Sequence, residues 1–107
     1  MTMNLDDVSV TNNEVAQRYE AHVNGHLAVI AYRREGDHIV FMHTEVPTEL
    51  EGRGLAGKLA NVALEDARAQ RLSVIPRCPF VAGHIRRHPE YQDLVPPDCR
   101  ERGPAPE

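Results

Sequence analysis

The chain has 107 residues, no Trp, two Phe and three Tyr, and a formal net charge of -4. That length supports one small domain with an aliphatic core, and an acidic balance excludes the basic field of a general nucleic-acid binder. No run approaches the ~20 apolar residues of a membrane span, residues 1–7 lack the basic start and apolar segment of a secretory leader, and Cys78 and Cys99 are too few for a disulfide framework. These features point to the cytoplasm, with neither nucleic acid nor membrane as a partner.

Residues 1–13 are polar and weakly patterned and read as a flexible arm. Val15 to Val23 and Leu27 to Arg33 alternate apolar and polar residues around Asn24-Gly25, a dipeptide that tolerates the positive φ angles of a tight hairpin. Glu35-Gly36-Asp37 turns the chain again, and His38 to Val46 forms a third strand closed by Pro47. From Gly54 to about Gln70 the period becomes helical: Leu55, Leu59, Val62, Ala63 and Ala67 make one apolar stripe, with Lys58, Glu65, Arg68 and Gln70 outside it. Leu72 to Pro76 reads as a buried strand, parallel to the third because a helix intervenes. Pro79 suits the start of a second helix, Phe80 to Arg87, which stops before His88-Pro89. Prolines at 96, 97, 104 and 106 make residues 96–107 a flexible tail. The order β-β-β-α-β-α is an α/β fold with a mixed sheet.

Glu51-Gly52-Arg53-Gly54-Leu55-Ala56-Gly57-Lys58 joins the third strand to the helix. Three glycines and an alanine strip side chains from this turn, so backbone N–H groups can converge on an anion at the positive end of a helix. The stretch is not a P-loop, because Leu59 follows Lys58, and no acidic ribose reader stands near Arg71-Leu72-Ser73-Val74 to complete a dinucleotide fingerprint. It resembles the pyrophosphate loop Q/R-x-x-G-x-G/A of the GNAT superfamily of acetyl-coenzyme-A-dependent N-acetyltransferases. Gly54 and Ala56 match its last fixed positions, and Glu51 departs from the first. Three further blocks look like the small single-domain branch: His43-Thr44-Glu45-Val46-Pro47, Cys78-Pro79-Phe80 and Ile85 to Tyr91.

The resemblance covers residues 14–95. It implies a sheet splayed between the third strand and the next parallel one, helices on both faces, and acetyl-coenzyme A as cosubstrate without a metal. Thr44 and Val46 would hold the pantetheine arm, Glu51, Gly52, Arg53, Gly54, Leu55, Ala56, Gly57 and Lys58 the phosphates, and Cys78 and Phe80 the far wall of the gap. Larger members insert two helices between their first strands to wall the acceptor site. With only Asn24-Gly25 there, the acceptor side is expected to be open, suiting a protein or other macromolecular amine, in a monomer or weak homodimer.

Three residues are candidates for chemistry. His43 and Glu45 lie two apart on a strand and so share a face, where either could take the ammonium proton of an acceptor amine. Cys78 enters a helix beside the gap, and three roles are open to it: transient acetyl acceptor, proton donor to the departing thiolate, or small buried hydrophobe. The Tyr that larger members carry on the last helix is missing, since that region offers Ile85 and Arg86. His84 and His88 stand four apart, and such isolated pairs are mostly surface residues rather than metal ligands. A coenzyme-A-binding or interaction module without turnover is the alternative.

Overall fold

The computed structural model describes residues 8–97. They form β1 (Val10–Asn13), β2 (Arg18–Val23), β3 (His26–Glu35), β4 (His38–Glu45), α1 (Leu55–Ala69), β5 (Ser73–Pro76) and α2 (Pro79–Arg87), with 3-10 turns at Thr48–Leu50 and Pro89–Leu94. The five strands lie in one sheet in chain order. All neighbours are antiparallel except β4 and β5, which the α1 crossover leaves parallel. The mixed α/β architecture is the expected one. None of the described helices is long and apolar enough to cross a membrane.

Two expectations are corrected. Val10–Asn13 is not part of a loose arm: it pairs along β2, from Val10 opposite Ala21 to Asn13 opposite Arg18. Side-chain hydrogen bonds take the place of apolar patterning here. Asn12 Oδ1 accepts from the Tyr32 hydroxyl at 2.6 Å, Asn13 Nδ2 donates to Glu20 at 3.0 Å, and Asn13 Oδ1 accepts from the Ala16 N–H at 3.1 Å, closing the turn into β2. Residues 1–7, and the tail beyond Pro97, lie outside the described residues. The β2–β3 hairpin forms where expected, with φ of 51° at Asn24 and 81° at Gly25.

The helices are also placed differently. Tyr19, Ala21, Ile30, Tyr32, Ile39, Phe41 and Val74 join Leu55, Leu59, Ala63 and Leu64 of α1 and Val81 and Ile85 of α2 in a single core cluster. Only Arg77 and Cys78 separate β5 from α2, and the Cys78 N–H donates to the Phe41 carbonyl at 2.9 Å. That bond starts α2 level with the sheet, and α2 then lies beside α1 rather than on the opposite face. Across the sheet from α1, the register lines up Arg18, Ala31 and His43, and Glu20, Val29 and Glu45, a row with charged residues at its flanks.

The end of β4 sets the site. Ala31 pairs with His43 but Tyr32 pairs with Phe41, so Met42 is an extra residue that bends the strand. Pairing between β4 and β5 stops at Phe41–Pro76. Past that point β4 runs on through His43, Thr44 and Glu45 with no β5 partner, and the sheet splays as expected.

Candidate functional site

Gly52 and Gly54 adopt φ of 79° and 80°, a region that side chains with a Cβ avoid. They drop the chain from the 3-10 turn at Thr48–Leu50 into α1 with Gly54 as N-cap. The first helical hydrogen bond runs from the Lys58 N–H to the Gly54 carbonyl at 3.1 Å. The amides of Leu55, Ala56 and Gly57 therefore have no partner within the helix. No side chain caps this end, and no acid stands in the first turn. What remains is an uncapped helix terminus with positive potential.

These amides border a groove of about 460 Å³. Val46, Leu50, Leu55 and Phe80 line its apolar part, Gly52, Gly54, Ala56 and Gly57 its floor, and His84, Arg87 and His88 its α2 wall, with Glu51 at the turn. An adjoining lobe of about 510 Å³ adds Lys58, Asn61 and Val62. Most of the residues expected to hold a cofactor are thus brought together. Arg53 is exposed and lies outside the lining of both.

The three candidates for chemistry divide between two sides of the splay. Thr44 lies in register with Ile30 and Tyr19 on the core face, and its Oγ1 is 3.2 Å from Cys78 Sγ. Cys78 is 2% exposed. His43 and Glu45 do share a face, with Nε2 and Oε2 3.6 Å apart, but it is the other one, and their side chains are 57% and 72% exposed.

His84 was undervalued by sequence alone. It is not a surface residue: it is 4% exposed, and its Nε2 lies 2.8 Å from Asn61 Oδ1. Its ring stacks on His88 with centroids 4.2 Å apart, and Tyr91 continues the stack at 6.3 Å. Burial, with the nearby charges of His88 and Arg87, holds the His84 imidazole below its ordinary pKa, so its neutral form is favoured. Tyr91 donates to Glu65 Oε2 at 2.9 Å, and burial together with that bond pushes its phenol up to about 12. The spacing of His84, His88 and Tyr91 could have signalled one stacked face, but Pro89 interrupts the helical register needed to see it.

A family model for GCN5-related N-acetyl-transferases matches residues 18–94. The chain belongs to this family. It is also 30% identical over 90 residues to Protein NATD1 of Gallus gallus and of Mus musculus, an overlap of 81% of this chain and 82% of each relative. The Homo sapiens protein of that name matches at the same identity over 80% of its length. The matched region runs from β2 to the end of the second 3-10 turn, and so includes the glycine turn, the splay and α2.

Proposed function

We propose that the protein binds acetyl-coenzyme A in the groove and transfers the acetyl group to an amine. The observation that carries this reading is the uncapped start of α1 facing a groove that leads, through Val46 and Phe80, towards the splay of β4 and β5. The diphosphate takes the free amides of Leu55 to Gly57, and the pantetheine arm lies along the apolar part. The thioester then reaches the gap beside Thr44 and Cys78.

The amine approaches from the open face, where His43 or Glu45 receives the ammonium proton. Its nitrogen attacks the thioester carbonyl carbon, a new C–N bond forms, the nitrogen gives up its second proton to solvent, the C–S bond breaks, and the sulfur leaves as thiolate. No described helix lies over that face, which suits an amine on a protein or another macromolecule. On this reading Cys78, buried on the core side, protonates the leaving thiolate rather than attacking the thioester.

Calorimetric titration with acetyl-coenzyme A tests the first half of the reading. Saturable binding that Gly54→Val abolishes is the expected result, and binding unaffected by that change would remove the site. Release of free thiol on adding candidate amines tests the second half. Binding with no thiol released in the presence of any amine would leave a coenzyme-binding module without turnover.

A further inference from the structure

The groove is uneven in charge. Gly83 carries no side chain, and Arg87 and Arg86 lie back across it, with guanidinium nitrogens 3.4 and 3.5 Å from where its Cβ would sit. Arg87 lines the groove opposite the glycine turn, and no carboxylate among the described residues lies within ion-pair distance of it. Beside it His88 is held by the stack on His84, with Nδ1 3.8 Å from Glu90 Oε2. His84 is fixed in turn by Asn61 of α1. Arg87 and His88 thus line one wall, and the stack on His84 holds the imidazole in place.

We propose that Arg87 and His88 form a recognition site for a phosphomonoester dianion, so that the groove prefers a ligand bearing a terminal phosphate to the same ligand without it. The inference rests on reading the groove as a coenzyme A site, and it assigns these side chains to the 3′-phosphate of the ribose. The diphosphate belongs to the amides of α1 across the groove. A guanidinium offers paired N–H donors to phosphate oxygens, and bonds between charged partners are about twice as strong as neutral ones. The Glu51 and Glu90 carboxylates are the charges that oppose it, one at the glycine turn and one beside His88.

Calorimetry with coenzyme A and with 3′-dephospho-coenzyme A, on the wild-type chain and on Arg87→Gln, decides the matter. The wild type should prefer coenzyme A by about tenfold, roughly what one such bond supplies. Arg87→Gln should bring the two affinities within about threefold by weakening coenzyme A alone, and Arg87→Lys should restore part of the preference. Arg87 is exposed, so thermal unfolding of these variants should match the wild type. Equal wild-type affinity for the two ligands would overturn the phosphate site and leave the groove reading standing. Equal weakening of both ligands in Arg87→Gln would move Arg87 to the diphosphate and also overturn it. Binding of neither ligand would overturn the groove reading itself, and this site with it.

Discussion

Thr44 and Cys78, 34 residues apart in sequence, meet through Oγ1 and Sγ at 3.2 Å, just past the last β4–β5 pair. One residue comes from the bent end of β4 and the other from the N-cap of α2, so this contact closes the inner side of the splay. It also removes Cys78 from solvent. In the absence of ligand, iodoacetamide should modify Cys78 at least about tenfold more slowly than in the unfolded chain, because reaction must await local opening. Acetyl-coenzyme A should slow it further by covering the gap. Peptide mass mapping over time checks both statements, and modification at the unfolded rate would refute the burial.

Gly57 separates helix stability from ligand approach. It sits in the first turn of α1, where a Cβ would meet only His84 Cε1, at the ordinary distance of 3.9 Å. Gly57→Ala should therefore stabilise the helix by about 0.5–1 kcal/mol. The same methyl group enters the floor of the groove beside the free amides. Coenzyme A affinity should fall on the order of tenfold while the melting temperature rises, a combination that calorimetry and thermal unfolding can test on one sample.

The parts of the fold that were legible in the sequence are those where side-chain period and turn chemistry agree. Asn24-Gly25 marked the hairpin, Leu55 to Ala67 the helix, and Gly54 with Gly57 the uncapped start. β1 was not legible because it is a polar edge strand. Asn12 and Asn13 hold it through bonds to Tyr32 and Glu20, and such partners leave no apolar alternation to read. Within the site, the shared face of His43 and Glu45 followed from the strand period. Their separation from Cys78 did not, because it depends on the Met42 bulge and on an α2 that begins in the sheet plane. The buried His84 stack was hidden by the proline that follows it.

Among the described residues, Glu51 is the one in the groove lining whose charge opposes the proposed ligand. It stands where the family pattern has Gln or Arg, and it is exposed on the approach to the glycine turn. An exposed like charge costs little, on the order of 0.2–1 kcal/mol. Glu51→Gln should therefore tighten coenzyme A binding by about two- to fivefold at low ionic strength, and the gain should shrink as salt is added. Unchanged or weaker binding at low salt would show that the carboxylate does not face the phosphates.

Stability should fall on the acid side in two stages. Burial and the charges of His88 and Arg87 lower the pKa of His84 from 6.5, so the unfolded chain binds this proton first. His84 therefore costs nothing above about pH 6.5, and its penalty grows as pH drops below that value until the folded form also protonates. Glu20 acts at lower pH. Arg18 at 2.5 Å and Asn13 at 3.0 Å hold its carboxyl below the ordinary 4.5, so its contribution is full above that value and is lost as pH falls through the lowered one. Urea midpoints measured from pH 8 to pH 3 should decline first below about 6.5 and again below about 4.5. His84→Gln should remove the first decline, and Glu20→Gln should remove the second at the cost of a lower plateau.

The exposed pair at the end of β4 provides the test of chemistry. His43 Nε2 and Glu45 Oε2 lie 3.6 Å apart on the open face, on the side from which the amine would come. Both side chains are mostly solvated and pack against nothing in the core, so removing them should leave the melting temperature within about 1 °C and coenzyme A affinity unchanged. If they take the ammonium proton, the His43→Ala and Glu45→Ala double variant should lose on the order of 10²–10⁴ in transfer rate. Each single variant should lose less, because either group can serve as the base. The loss should also shrink as pH rises, because an amine that is already neutral needs no base. Thiol-release rates for the four proteins between pH 6 and pH 9.5 make the comparison, and a double variant with the wild-type rate throughout would show that the pair is only a solvated strand end.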